Sequence, residues 1–394
     1  MTFSGAKQES RLNSDLSRWI PWKIETLFVF VILALAVLTR FYELGARTMS
    51  HDEINHVVPS YDFYQGRGFR YDPVSHGPLQ FHLIALSYFL FGDSDFSSRI
   101  PAALFSVATV GLAMMALRRY LGRCGALVAG LLFLISPYML FYGRYARNEA
   151  FIVLWGLLTL YAILRYLERG EPRIMILFTL VNAFHFVDKA TAYIYAAEQL
   201  LFLAGYFIWR VTSLEWSVSK YRLGFLSGLI AMLGSALVAV ELYINIQPLS
   251  QVQLVIVIIL GIIGLSGGIA SVIALVRGIG WAGIRAERSF DLLMLLGTLI
   301  LPLLAALPVK IAGFNPLDYN SEGIIRSASV IVLLAILATG LGLWWNRRVW
   351  LTLAVIFYTI FILFFSTFFS NAIGVAGGLM GALGYWLEQQ FVSR

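Results

Sequence analysis

Long uninterrupted runs of apolar residues constrain this chain more than any other feature. Eleven stretches approach or reach the roughly 20 apolar residues that are needed to cross about 30 Å of hydrocarbon. Of the 394 residues, 59% are hydrophobic and 13% are charged, whereas soluble domains carry about 25% charged residues. This composition excludes an ordinary soluble domain, and the runs predict an all-α, polytopic integral membrane protein.

The apolar runs also predict where the spans lie. Backbone groups cannot stay unpaired in lipid and the alternation typical of a barrel is absent, so we expect helices. No internal repeat or polar linker divides the sequence, which favours a single transmembrane domain over residues 1–394. The eleven spans are predicted near residues 22–41, 100–117, 124–141, 150–166, 174–187, 191–209, 223–245, 252–276, 291–309, 327–345 and 349–369.

The positions of lysine and arginine predict the orientation, because short cytoplasmic loops are enriched in these residues. A cytoplasmic N-terminus makes every inner segment basic, and contact with anionic inner-leaflet lipid then explains the net charge of +7 without nucleic acid. We therefore expect a multi-pass protein of the plasma (inner) membrane. The basic residues expected inside are Lys7, Arg11, Arg18, Lys23, Arg118, Arg119, Arg123, Arg165, Arg169, Arg173, Arg210, Lys220, Arg222, Arg277, Arg285, Arg288, Arg347 and Arg348.

The first extracytoplasmic loop, residues 42–99, is the largest outer segment. Helical patterns at about 51–65 and 79–91, separated by a Gly/Pro stretch, predict two helices that lie along the membrane surface. Ser50 and Glu53 match a capping box, so Glu53 is either a helix cap or a functional carboxylate. Asp52 shares this first turn, where the helix dipole favours a charged carboxylate. An ionised carboxylate there suits a general base for a hydroxyl, and a plain first-turn acid is the alternative.

Arginines form a second candidate cluster between the third and fourth spans. If residues 141–149 are helical, Arg144 and Arg147 share a face and Glu149 stands at the start of the fourth span. The planar guanidinium of arginine suits phosphate, although arginines at an interface also extend to the surface without binding anything.

A third cluster, Asp188 and Lys189, falls in the turn between the fifth and sixth spans. A lysine in a short outer turn is a reasonable anion ligand. The alternative is that Asp188 simply neutralises it.

These residues identify no definite cofactor, and a divalent metal ion stays an open alternative. His51, His56, His76 and His82 lie near several acids, although no fixed spacing such as His-Glu-x-x-His is present. A hard cation bound by Asp or Glu would fit where a phosphate must be gripped.

Taken in order, these motifs resemble the GT-C superfamily of membrane glycosyltransferases. The chain is most similar to the protein O-mannosyltransferase and aminoarabinose-transferase branch, and particularly to the flippase-activity-associated membrane proteins grouped with it. The resemblance is strongest over residues 25–210 and reappears near residues 381–388. It is carried by the Asp-Glu pair, His76-Gly-Pro-Leu79, Phe91-Gly-Asp-Ser-Asp-Phe-Ser-Ser-Arg-Ile-Pro-Ala-Ala-Leu104, Ser136-Pro137, Arg144-Tyr-Ala-Arg147-Asn-Glu149 and Asp188-Lys189.

The resemblance implies a polyprenyl-phosphate-linked sugar donor and an inverting transfer to a hydroxyl of an extracytoplasmic glycan, lipid or protein. Asp52 would then deprotonate the acceptor hydroxyl, and Glu53 would orient Asp52 or help to bind the acceptor. The remaining expected roles are phosphate binding for Arg144, Arg147 and Lys189, and cavity positions for His76, Glu149 and Asp188.

Residues 370–394 are expected to form an extracytoplasmic C-terminal segment. Relatives usually continue with further helices or a domain, so a short form and an incomplete chain are both open. The competing functional class is a transporter, flippase or accessory protein for lipid-linked sugars. Transporters tend to place polar residues at midplane on broken helices, often in repeats, so charged clusters at the outer surface favour an enzyme.

Overall fold

The computed structural model describes residues 22–245 and 251–389. Over these residues all regular structure is helical, which confirms the all-α fold class. Short 3-10 helices at Pro73–Ser75 and Leu301–Leu304 and a π-helix at Gly377–Gly381 join the longer elements. The α-helices are α1 (Trp22–Phe41), α2 (His51–Tyr64), α3 (Leu79–Phe91), α4 (Asp95–Ala116), α5 (Arg118–Ile135), α6 (Pro137–Tyr142), α7 (Glu149–Arg169), α8 (Pro172–Asp188), α9 (Ala192–Thr212), α10 (Ser219–Asn245), α11 (Gln251–Ala286), α12 (Arg288–Ile300), α13 (Ala306–Ile311), α14 (Ser321–Phe365), α15 (Ile373–Ala376) and α16 (Ala382–Gln389).

Within the described ranges, six helices are long and apolar enough to cross a membrane, so the chain is a multi-pass membrane protein. The count of eleven spans and the orientation stay predictions. Lys7, Arg11 and Arg18, on which the orientation partly rests, lie outside the described residues, as do residues 390–394 of the predicted outer segment. The six segments are Ile24–Phe41, Asp95–Ala116, Glu149–Arg169, Ser219–Leu242, Val255–Ala286 and Ser321–Phe365.

Helix α14 is two helices joined at a kink. Asn346 has φ −157° and ψ 96°, which is extended backbone inside a 45-residue helix. Its side-chain oxygen accepts a hydrogen bond from the Val349 amide at 3.3 Å, as an N-cap does. The kink falls between the two spans predicted at 327–345 and 349–369.

The described residues form two compact units. One contains the residues up to Glu198 and from Met294 onward, and the other contains Gln199–Leu293. In the second unit, α10 and α11 pack along each other and Arg210 makes two hydrogen bonds to Glu287, at 3.0 and 3.1 Å. The single domain predicted over residues 1–394 stays a prediction. All the candidate site residues lie in the first unit.

In the first unit, the two ends of the helices carry different charged groups. At one end Glu25 is 6% exposed and pairs with Arg118 at 2.7 Å and with Arg123 at 3.5 Å. The opposite ends of α1, α5 and α7 lead into the segments that hold Asp52 and Arg147. Packing of α4 against α1, α5 and α7 therefore gathers these segments at one end of the unit.

Candidate functional site at the start of helix α2

The first turn of α2 separates the two adjacent carboxylates. Ser50 is the N-cap: its hydroxyl accepts from the Glu53 amide at 3.4 Å, and Glu53 accepts from the Ser50 amide at 3.2 Å. The predicted capping box is therefore confirmed. Successive helical residues point about 100° apart, so Asp52 and Glu53 face different surroundings.

Glu53 faces inward and is fully buried. Arg99, also fully buried, donates to both of its oxygens at 2.7 and 3.0 Å. Arg47 and the Ala146 amide each donate at a further 3.0 Å. These bonds tie α2 to α4 and to the segment after α6.

Burial by itself would raise the pKa of Glu53. Hydrogen bonds from Arg99 and from the amides of Ala146 and Ser50, together with the charge of Arg99, outweigh burial and lower the pKa below its usual value. Glu53 is therefore an ionised carboxylate whose oxygens are already occupied by donors.

Asp52 faces outward, and its side chain is 54% exposed. Its carboxylate oxygen accepts from Nη1 of Arg147 at 2.7 Å. Its main-chain carbonyl accepts a hydrogen bond of 3.1 Å from Nδ1 of His56. An exposed carboxylate with one side-chain partner can reach a substrate hydroxyl, whereas buried Glu53 cannot.

In the segment between α6 and α7, the side chains of Arg144 and Arg147 contact different partners. Helix α6 ends at Tyr142 and α7 begins at Glu149, so residues 141–149 are not one helix and the condition for a shared face of the two arginines is not met. The intervening backbone turns so that the Ala146 amide reaches Glu53. Arg144 donates to the carbonyls of Thr39 and Glu43, at 2.9 and 3.2 Å, at the C-terminal end of α1.

Arg147, whose side chain is 21% exposed, lies at the centre of the Asp52 side of the site. Besides Asp52, it donates through Nη2 to Nε2 of His76 at 3.3 Å, and its Nε lies 3.7 Å from Glu149. Glu149 in turn accepts from Nζ of Lys189 at 2.9 Å, and Lys189 is 8% exposed. Lys189 therefore pairs with Glu149, and the alternative of a simple pair with Asp188 is not what the structure shows.

Asp188 is held by a different partner. It is fully buried, and Asn148 donates to its carboxylate at 2.7 Å and to its main-chain carbonyl at 2.9 Å. The same carbonyl accepts from the Gly77 amide at 2.9 Å. Asp188 thus fixes the segments around Lys189 and His76 against each other.

His76 occupies a strained position in this arrangement. Its φ is 72°, in the left-handed region that non-glycine residues rarely adopt and that costs about 1–3 kcal/mol. A side chain at the following Gly77 would lie 2.4 Å from the Val187 carbonyl oxygen, so glycine is required for this close approach. Packing of the surrounding segments offsets this strain and holds the His76 ring against Arg147.

His76 and His56 are neutral at physiological pH. Burial, followed by the nearby positive charge of Lys189, lowers the pKa of His76 to about 3. Burial also lowers the pKa of His56, although its hydrogen bond to Asp52 acts in the opposite direction. The two rings stack at 6.0 Å. Since Arg147 can only donate, Nε2 of His76 is the acceptor.

The structure brings together most of the residues predicted for the site. We call the group around Asp52 the Asp52 cluster, and its members are Asp52, His76, Arg147, Glu149 and Lys189. It combines a reachable carboxylate with two cations, which is what proton abstraction beside an anionic leaving group requires. Glu53 and Asp188 lie behind it as buried supports, and Arg144 caps α1. No three His, Cys, Asp or Glu side chains among the described residues form a metal-binding group.

The sequence reasoning missed the importance of Arg99, Asn148 and His56. Arg99 occurs in the sequence motif from Phe91 to Leu104 without a predicted role of its own. The four residues after it, at positions 100–103, are apolar. A charge buried beside them must have a partner, which was the available signal for an ion pair with an acid of the same loop. Asn148 acts on Asp188, forty residues along the chain, which sequence spacing does not reveal. His56 bonds the Asp52 carbonyl four residues before it in α2, a local spacing that the sequence does contain.

Comparisons with known proteins cover most of the residues that were predicted for the site. Residues 75–240 match the family model described as dolichyl-phosphate-mannose-protein mannosyltransferase. No curated protein matches the chain. The match supports the resemblance to a GT-C membrane glycosyltransferase that uses a lipid-linked sugar; the branch stays a prediction. The matched range begins after Asp52 and Glu53 and includes His76, Arg144, Arg147, Glu149, Asp188 and Lys189.

Proposed function

We propose that this protein transfers a sugar from a polyprenyl-phosphate-linked donor to an acceptor hydroxyl on the extracytoplasmic side of the plasma (inner) membrane, with inversion at the anomeric carbon. The observation that carries the proposal is the Asp52 cluster. It places an exposed carboxylate 2.7 Å from Arg147, which neighbours the Glu149–Lys189 pair. A base for a hydroxyl and cations for a phosphate thus occupy one continuous network.

In this mechanism Asp52 removes the proton of the acceptor hydroxyl as its oxygen bonds to the anomeric carbon. The bond from that carbon to the phosphate oxygen breaks, and the phosphate leaves with the electron pair. The proton passes from Asp52 to water, which the exposed position of Asp52 permits. Attack opposite to the leaving group inverts the configuration.

Arg147 and Lys189 are the groups we assign to the donor phosphate. Both already have carboxylate partners, so donor binding would replace contacts to Asp52 and Glu149 with contacts to phosphate oxygens. Once Arg147 has turned to the phosphate, the Asp52 oxygen that accepted from Arg147 can accept from the acceptor hydroxyl. The cations then matter most as the phosphate gains negative charge in the transition state.

Glu53 and Arg144 have supporting roles in this scheme. Glu53 orients Asp52 by anchoring the first turn of α2 to Arg99 and Ala146. Arg144 holds the end of α1 beside the same turn through the Thr39 and Glu43 carbonyls, and its predicted contact with phosphate stays a prediction.

The test is to incubate the purified chain, reconstituted in nanodiscs, with native lipid-linked sugars and a mixture of hydroxyl acceptors, and to follow loss of sugar from the donor by mass spectrometry. Asp52→Asn should reduce turnover about 10²–10⁴-fold, the range for loss of a general base, while donor binding stays within about threefold. Unchanged turnover in Asp52→Asn would overturn the assignment. Donor binding without turnover in either protein would favour a transport or accessory role.

A further inference from the structure

A cavity of about 390 Å³ lies along α3 and includes no member of the Asp52 cluster. Its volume falls in the range of small-molecule sites, about 300–1,000 Å³. Its walls are largely aromatic, with Phe63, Tyr64, Phe89, Phe364 and Phe368 among them. None of the nine described residues that line it is Lys, Arg, Asp or Glu.

The rim of this cavity is apolar and open. Phe89 is 76% exposed, Phe368 is 55% exposed and Leu86 is 50% exposed. Large apolar side chains exposed together on a membrane protein are most stable against lipid. A ligand would therefore enter from the hydrocarbon or its interface.

One polar side chain is buried in the wall. His82 is 7% exposed, and its Nδ1 donates to the Pro78 carbonyl at 2.7 Å. In the neutral ring Nε2 is then an acceptor. This atom is buried and has no hydrogen-bond partner among the described residues. The rings of Phe63 and Phe364 meet His82 edge to face, at 5.1 and 5.4 Å.

The other wall is a strained turn after α14. Thr367, Phe368 and Phe369 have φ of 49°, 52° and 68°, which three successive non-glycine residues seldom adopt. The Thr367 hydroxyl donates to the Phe69 carbonyl at 3.1 Å and holds the turn against the loop before α3. This turn keeps the Phe368 ring 5.6 Å from that of His82, across the mouth of the cavity.

We propose that the cavity binds an uncharged lipid alcohol whose hydroxyl donates to Nε2 of His82. The apolar rim selects a ligand that comes from the lipid phase, and the uncharged lining disfavours a phosphate or carboxylate head. The unpartnered acceptor requires a donor, which a hydroxyl supplies and an ether or ester does not. This accessory lipid site goes beyond the proposed sugar transfer and shares no residue with the Asp52 cluster.

The test uses the full chain in nanodiscs with a photoreactive long-chain fatty alcohol and with the methyl ether of the same probe. Crosslinked peptides are identified by mass spectrometry after competition with the unlabelled alcohol. The alcohol should label residues 79–91 or 361–370, and the ether should label them about tenfold less, as expected for loss of one hydrogen bond. Equal labelling by alcohol and ether, or no labelling of these segments, would overturn the proposal.

Three variants sharpen the test. His82→Phe keeps a ring but removes the acceptor, and should bring alcohol labelling down to the level of the ether. His185→Phe is the matched control, because Nε2 of His185 is also buried without a partner among the described residues but lies outside this cavity. Leu86→Trp should fill the cavity from its exposed rim and abolish labelling by both probes. If His82→Phe does not fold, the native comparison and Leu86→Trp decide, and undiminished labelling in Leu86→Trp would contradict the site.

Discussion

The inner and outer sides of the first turn of α2 differ more than their sequence suggests. On the inner side Glu53 is fully buried and bound by Arg47, Arg99 and two backbone amides. On the outer side Asp52 is half exposed, and its carboxylate meets Arg147. The two adjacent acids therefore have different roles. Glu53 holds the turn in place, and Asp52 is available for chemistry.

Loss of Glu53 should give the largest effect on stability. Glu53→Ala leaves Arg99 buried without its carboxylate, and removing one partner of a buried ion pair costs about 3–5 kcal/mol. The measurement is the thermal or denaturant unfolding of the purified protein in nanodiscs. Glu53→Leu combined with Arg99→Met should be less destabilised than Glu53→Ala alone, because no unpaired charge remains. A destabilisation of Glu53→Ala below about 1 kcal/mol would show that the inner side is not an anchor.

Loss of Arg147 should give the next largest effect, on donor binding. Arg147→Gln removes a charged donor, which is worth about 1.5–3 kcal/mol, so affinity for a polyprenyl phosphate should fall roughly 10- to 150-fold. Arg144→Gln is the matched control, because Arg144 binds main-chain carbonyls at the end of α1. Equal losses in the two variants would mean that the phosphate site is not confined to the Asp52 cluster.

The stability contributed by the two sides of the turn should be lost in different pH ranges. The folded-state pKa of His76, about 3, lies below the unfolded value of 6.5, so the unfolded chain binds more protons and stability falls as pH falls from about 6.5 toward 3. The loss is at most about 1.4 kcal/mol per pH unit for this one group. The Glu53 pKa is lowered from 4.5, so its stabilisation is lost only at lower pH. Unfolding midpoints between pH 7 and 5 should have a smaller slope in His76→Gln, and an identical slope would refute the assignment to His76.

Removal of the helix cap should have the smallest effect of this series. Ser50→Ala deletes the hydroxyl that caps α2 and lies 2.6 Å from the Tyr145 hydroxyl, which should cost about 1 kcal/mol in unfolding free energy. Ser50→Thr keeps the hydroxyl and is the control. A loss in Ser50→Ala as large as that in Glu53→Ala would shift the anchoring role from the ion pair to the cap.

The sequence was informative where the physics is local. Apolar runs predict helices because lipid forbids unpaired backbone groups. Both helices predicted within residues 42–99, at about 51–65 and 79–91, are present as α2 and α3. The capping box was also predictable, since its partners are three residues apart. Helical spacing did not predict the arrangement of Arg144 and Arg147. In this segment Ala146 bonds Glu53 and Asn148 bonds Asp188, and these tertiary contacts override local helix formation.

The sequence predicted which residues belong to the candidate site, but it did not predict which of them pair with each other. Lys189 pairs with Glu149, forty positions away along the chain, and Asp188 with Asn148. Which side of the α2 turn faces inward depends on where Arg99 packs, and no pattern around Asp52 and Glu53 carries that information. Pairings of this kind follow from helix packing and not from the spacing of the motif.

The most direct measurement compares the isosteric variants Asp52→Asn and Glu53→Gln in one nanodisc preparation, by sugar transfer per folded molecule and by unfolding midpoint. Asp52→Asn should stay within about 1 kcal/mol of native stability and lose about 10²–10⁴-fold in transfer. Glu53→Gln should be clearly destabilised, while its folded fraction keeps transfer within about tenfold of native. A stable, inactive Glu53→Gln beside an active Asp52→Asn would contradict the division of roles between the two sides of the turn.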